Sequence, residues 1–275
     1  MKKKLFVVVM GALTLALAAF MLAGCSSTPV DDSNDNVERT KLIVGFDQDF
    51  PPYGYLDDSG EFTGFDLDLA AEVCERRGWD VEYLPINWDA KDLELSSGAI
   101  DCIWNGFTIE GREDDYTFTD PYMDNSQVIV VRAESGITKL EDLADKTVMA
   151  QADSAAFHLL EAGGDQEALA SSFKQLMSVA EYNSAFLELE SGTVDAVAMD
   201  LPVARFQVAG KEAKFVILDK DPLSSEHYGV GVLLGNEALR DQIQETLKEM
   251  VADGTVEKIC KKYEDQGISF DMWCL

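Results

Sequence analysis

Two stretches of the 275-residue chain decide the fold: Ser97-Gly98-Ala99-Ile100-Asp101-Cys102-Ile103 and Ser191-Gly192-Thr193-Val194-Asp195-Ala196-Val197. Each reads as a helix end, a glycine stop and a strand with one apolar alternation. Because both copies join the same two elements, they predict two similar lobes. The strands, over 99–104 and 193–199, end at Asn105-Gly106 and at Met199-Asp200. Ligands of open α/β sheets sit beyond the carboxyl ends of strands, so two such ends facing each other predict a cleft.

Working outward, 42–45 reads as an apolar strand and Asp66 to Arg77 as a helix stopped by Gly78. Trp79, Val81 and Tyr83 alternate with polar residues, a strand pattern. Asn87 is the expected cap of the next helix. In the second half, 127–131 and 147–150 read as strands and Ser154 to Glu161 as a helix. Thr138 and Glu141 suggest a capping box, and Asn183 or Ser184 a cap for the helix ending at Gly192. A strand over 228–234 precedes an amphipathic helix carrying Leu239, Ile243, Leu247 and Met250. Alternating strands and helices predict an α/β protein with largely parallel sheets.

Residues 1–25 have the shape of an export leader: basic Lys2 to Lys4, an apolar run, then Leu22-Ala23-Gly24-Cys25. The alternative is a retained membrane helix, and both readings place the globular part outside the cytoplasm. Residues 26–40 are polar and acidic and predict a flexible tether. Removing the leader's three lysines takes the basic count from 22 to 19 against 51 acids. Nucleic acid is therefore not an expected partner, because phosphate binding needs clustered cations. Apart from Cys25 the cysteines are Cys74, Cys102, Cys260 and Cys274, with no CxxC, and the only histidines are His158 and His227. No metal or cofactor is expected. Cys74 and Cys102 fall on apolar positions, and export would permit a Cys260–Cys274 disulfide, although sequence leaves the pairing open.

The loop FDQDFPPYGY, residues 46–55, is stiff, aromatic and acidic, and offers Asp47 and Phe50 at a strand end. Trp88 opens a helix beyond another strand end. Gly106, Thr108 and Arg112 follow within seven residues of one another, and an arginine fork suits a carboxylate. Asp200, at the matching edge of the other lobe, suits an ammonium. Ser154 and Ala155, at a helix start, offer free backbone N–H groups to an anion. Together these suit a zwitterion such as a free α-amino acid. No GxSxG, HExxH or Walker loop occurs, so binding fits better than catalysis.

At these residues the chain resembles the extracellular solute-binding proteins of bacterial polar amino-acid ABC transporters. The resemblance covers residues 41–265 and rests on VGFDQDFPPYGYLDDSGEFTGFDLDLA, SGAIDCIWNGFTIEGRE with TDPYM, VDAVAMD, and LKEMVADGTVEKICKKY. It implies an α/β, two-lobed periplasmic-binding-protein-like fold (type II) with two crossover strands as hinge. Lobe 1 would comprise residues 41–126 and 228–275, and lobe 2 residues 127–227. It further implies that Arg112 holds an α-carboxylate with the N–H groups of Thr108 and Ala155. Gly106 C=O, the Thr108 hydroxyl and Asp200 would hold the α-ammonium. Phe50 and Trp88 would enclose the side chain, with Asp47 at its far end and Asp153 adding charge nearby. Leu22 to Cys25 resembles a lipobox, with Cys25 the lipidated residue anchoring the protein at the outer side of the membrane. The implied partners are a free L-amino acid, expected to be polar or basic, and the permease subunits, met by a monomer. The chain departs from the family pattern in two places. The Thr108–Arg112 segment is one residue short, and Asp153-Ser154-Ala155 replaces a glycine followed by two hydroxyl residues. The rival readings are a dehydratase-type enzyme on the same fold and a ligand-sensing domain.

Overall fold

In a computed structural model, residues 39–57 and 59–275 are described. The leader, Cys25 and nearly all of the expected tether lie outside them. The tether's last residues do not: Arg39 pairs with Asp101 at 2.9 Å and lies over the Trp79 ring.

Strand β1 (Lys41–Phe46) leads into a three-stranded ribbon of β2 (Asp49–Phe50), β3 (Gly54–Leu56) and β4 (Phe62–Thr63). The aromatic loop is thus an ordered hairpin. Helix α1 (Phe65–Arg77) ends as expected at Gly78, whose left-handed backbone (φ 69°) lets its N–H cap the Cys74 and Glu75 carbonyls. Strand β5 (Asp80–Pro85) pairs parallel with β1. A 3-10 turn, Trp88–Ala90, precedes the short α2 (Lys91–Ser96). The expected strand after Gly98 forms its ladder only at β6 (Cys102–Ile103), followed by β7 (Tyr116–Phe118).

Strand β8 (Met123–Arg132) enters the second sheet, followed by β9 (Thr147–Gln151), α3 (Ala155–Leu160) and α4 (Glu167–Ala170). Then come β10 (Gln175–Val179), α5 (Tyr182–Ser191), β11 (Ala196–Asp200), α6 (Leu201–Val208) and β12 (Phe215–Ile217). Strands β13 (Ser224–Tyr228) and β14 (Gly231–Leu233) return the chain, and α7 (Glu237–Ala252) and α8 (Thr255–Lys262) follow.

The strand orders are β5-β1-β6-β14-β7 and β10-β9-β11-β8-β12, with β13 also on β8. The echo holds in space. In each sheet the glycine-led strand lies parallel beside the lobe's first parallel strand, β6 on β1 and β11 on β9. Its other neighbour is antiparallel, β14 in one sheet and β8 in the other. The crossing segments pair with each other, Ser224 opposite Gln127 through Tyr228 opposite Met123. This ladder joins the lobes.

Four local readings are corrected. The single strand expected over 228–234 is two strands serving different sheets, interrupted at Gly229, where a Cβ would stand 2.9 Å from Ile109. The expected capping box is replaced by Asp142, which accepts from Thr138 N (2.9 Å) and Oγ1 (3.0 Å) ahead of Glu141. Helix α5 starts at Tyr182, and Asn183 bonds Asp49 and Gln207 instead of capping. The four described cysteines are free thiols, so Cys260 and Cys274 form no disulfide. Cys74 and Cys102 are buried in the core with the four apolar residues named on α7.

Candidate ligand-binding site

The carboxyl ends of β6 and β11 converge on one small cavity. Eight of the nine residues proposed for the ligand line it: Phe50, Trp88, Gly106, Thr108, Arg112, Ser154, Ala155 and Asp200. Asn105 and Gln151 line it as well. Asp47 does not.

Arg112 is 8% exposed and stands over Phe107, 5.1 Å from the ring centre. Its hydrogen bonds go to two backbone carbonyls, Thr108 O and Asp153 O, each at 3.2 Å. It forms no ion pair with a carboxylate among the described residues, leaving guanidinium donors for an anion. Thr108 faces Tyr228 in an isolated bridge whose flanking bonds are Ile109 N to His227 O and Gly229 N to Phe107 O. That register keeps the Thr108 N–H out of the ladder. Ser154 caps α3 by accepting from Phe157 N at 3.1 Å, and Ala155 is the helix's first residue.

Across the cavity Asp200 Oδ1 accepts from Asn125 Nδ2, Gln127 Nε2 and Tyr228 Oη, each at 2.7 Å. Burial, reinforced by the neighbouring Glu226 carboxylate, pushes the Asp200 carboxyl up to about 7. Glu226, which sequence reasoning missed, is 4% exposed and accepts from Thr108 Oγ1 at 2.9 Å. Gly106 sits at φ 58° with the Phe50 and Tyr228 rings against the place of a Cβ, so a side chain has no room. Its N–H donates to the fully buried Asp66 at 2.6 Å, and Tyr122 Oη shares that oxygen at 2.8 Å. Asn105 Oδ1 lies where Gly54 would carry a Cβ, at 2.3 Å, which explains the glycine in the hairpin.

Trp88 meets Phe107 edge-on at 5.6 Å, and Phe50 packs on Tyr53 and Tyr182. Behind this wall Asp47 is withdrawn from the cavity. Its carboxylate accepts from Asp49 N at 2.8 Å and Gln151 Nε2 at 2.5 Å, and burial pushes it up to about 6. Gln151 Nε2 also donates to Ala180 O at 3.0 Å. Both partners are acceptors, so the amide nitrogen must face them, and Oε1 is the group left for the cavity. The Asp153 side chain is turned away too, bonded to Lys91 and to His158 Nε2.

A cleft between two α/β lobes joined by paired crossing strands, with a lone guanidinium opposite a carboxylate, defines a two-lobed solute-binding protein. The model of "Bacterial extracellular solute-binding proteins, family 3" matches residues 42–266, and the chain belongs to that family. It is 27% identical over 259 residues to a probable histidine-binding protein of Neisseria gonorrhoeae, covering 92% of this chain and 94% of the relative. Among solved structures, it is similar to a histidine-bound ABC uptake transporter substrate-binding protein from Streptococcus pneumoniae. There the TM-score is 0.75 at 30% identity, over 83% of this chain and 94% of that one. An ancestral arginine-binding protein bound to glutamine gives a TM-score of 0.73 at 36% identity, over 82% and 98%.

Proposed function

We propose that this amino-acid-binding protein of an ABC transporter clamps a zwitterion through Arg112 and Asp200 and selects a side chain that donates hydrogen bonds. One observation carries the clamp: opposite charges, each without an ionic partner of its own among the described residues, face one small cavity. The carboxylate goes to Arg112 with the Thr108 and Ala155 N–H groups. The ammonium goes to Asp200, Gly106 C=O and the Thr108 hydroxyl, whose proton is committed to Glu226 and whose lone pairs are free to accept.

The side chain runs between Phe50 and Trp88 toward Gln151 Oε1, an acceptor. Past Trp88 a second hollow has only acids among its charged lining residues: Asp47, Asp49, Asp89, Glu94 and Glu181. An acceptor with that field behind it favours a guanidinium, ammonium, imidazole or amide over a carboxylate. Arginine, lysine, histidine or glutamine is therefore the expected ligand, in keeping with the histidine, arginine and glutamine named for the similar proteins. The similar proteins are binding proteins, and binding is the role taken for this one.

Residues 41–126 with 228–275 are assigned to one lobe and 127–227 to the other. Leu22-Ala23-Gly24-Cys25 supports lipid anchoring through Cys25, with a monomer delivering its ligand to membrane permease subunits. Thermal shifts with each of the twenty amino acids test the ligand class. A dominant shift with glutamate or aspartate overturns it.

A further inference from the structure

Asp200 and Glu226 are a pair of buried carboxylates held by neutral donors alone. Asp200 ends β11 and Glu226 lies on the returning strand β13, and β8 brings them together. Asn125 Nδ2 donates to Asp200 Oδ1 and to Glu226 Oε1, each at 2.7 Å. Gln127 Nε2 does the same at 2.7 and 2.8 Å. Thr108 Oγ1 completes one acid and Tyr228 Oη the other. Asp200 and Glu226 are each 4% exposed.

The surroundings supply little positive charge. Tyr53, Tyr182 and Tyr228 face the pair, and burial pushes all three phenols well above their ordinary value, so they stay neutral. The Arg112 guanidinium lowers Glu226, but less than burial raises it. His227, next in sequence, is turned to Glu110 and Asp124 on the exposed face. Two adjacent carboxylates removed from water do not both stay ionised on amide hydrogen bonds alone.

We propose that Glu226 is a second acid of the ammonium subsite, and that the Asp200–Glu226 pair shares one proton until a ligand's α-ammonium displaces it to solvent. The inference rests on the amino-acid reading of this cavity. Charge balances: the singly protonated pair carries one negative charge, and two carboxylates with one ammonium carry the same. The shared proton thus lets the protein hold the site without an uncompensated dianion. Ligand binding becomes an exchange of one cation for another. The raised affinity of both acids for protons, caused first by burial, is consistent with this exchange. Affinity then weakens as pH falls, by up to about tenfold per unit where the pair is already protonated.

Calorimetric titration of L-arginine and L-glutamine into the purified protein, at pH 7 in two buffers of different ionisation heat, counts the proton. The expected release is roughly half to one proton per ligand, with Kd rising as pH drops from 7 to 5. Glu226→Gln should abolish the release and flatten the pH profile, and Glu226→Asp should restore both in part. Equal heats in both buffers and a flat wild-type profile overturn the proposal, as does unchanged release from Glu226→Gln. If Glu226→Gln does not fold, the wild-type buffer dependence alone decides. Failure of all twenty amino acids to bind sinks the amino-acid reading itself. The proton is then read without ligand by carboxyl carbon NMR. Widely separated titrations of Asp200 and Glu226 support sharing, and two ordinary ones near 4 end it.

Discussion

Lys91 pairs with Asp153 across the cleft, from the first turn of α2 to the loop ahead of α3. The lysine is 2% exposed and the aspartate has a left-handed backbone at φ 58°, where glycine would be the relaxed choice. Although burial opposes it, bonds from His158 and Lys91 hold the Asp153 carboxyl down at about 2. The same residue's carbonyl accepts from Arg112. One position thus ties both lobes to the group proposed for the carboxylate.

Removing this tie should speed ligand release. Lys91→Ala leaves a partly buried anion beside Arg112, and the expected loss is about tenfold in affinity, carried mainly by dissociation. Stopped-flow measurement checks the partition. In an Asp153→Gly background the lysine substitution should have little further effect, and an additive result would show that the two act separately.

The clamp itself predicts larger losses. Arg112→Ala or Asp200→Ala strips one charge from a buried recognition pair, an effect on the order of 3–5 kcal/mol. At about 1.4 kcal/mol per decade, affinity should fall a hundredfold or more. Near-normal calorimetric affinity in both folded variants would refute these assignments.

Selectivity should follow Gln151 and the acid behind it. Asp47→Asn removes negative charge from the distal wall, so arginine should weaken relative to glutamine. Gln151→Lys pairs with Asp47 and turns an acceptor into a cation, so the arginine-to-glutamate preference should drop by roughly an order of magnitude or more. Unchanged ranking of arginine, glutamine and glutamate in both variants would exclude this wall.

Stability without ligand should fall from mildly acid to alkaline pH. Burial raises Asp66 to about 7 and Asp47 to about 6, against an ordinary value of 3.8. Between about 4 and 7 the folded state therefore holds more protons than the unfolded chain, and unfolding free energy declines as pH rises. Melting should be higher at pH 5 than at pH 8. Asp66→Asn should flatten part of that slope, and an unchanged slope would mean that Asp66 is ionised in the fold throughout.

The two-lobe plan was legible because the Ser-Gly and Asp positions repeat with one alternation, and each glycine stops a helix. That Phe50, Trp88, Thr108, Arg112 and Asp200 meet at one cavity was legible, because they fall in the loops after strands or at a helix start. Glu226 was not, since Ser224 to Tyr228 reads as an ordinary polar strand and its partners come from β8, about a hundred residues away in sequence. Gln151 carried no signal either, because the orientation of its amide is set by Asp47 and Ala180. Asp153 was misjudged as pocket charge for a related reason: its partner Lys91 lies on the other lobe. Local pattern likewise favoured Glu141 for Thr138, where backbone geometry brought Asp142 closer.

The C-terminal tail gives the crossing strands an external covering. Trp273 lies 5.6 Å from the Tyr122 ring, and Cys274 N donates to Tyr122 O at 3.1 Å. Cys274 is also the one exposed thiol among the described cysteines. A maleimide fluorophore would therefore attach at a single place among them, beside the start of the crossing strand β8. Burial and nearby acids hold this thiol up at about 11, so coupling should be slow near neutrality and faster in alkali. The protein thus carries a native attachment point for an optical reporter beside the strands that join its lobes, with no residue of the ligand cavity altered.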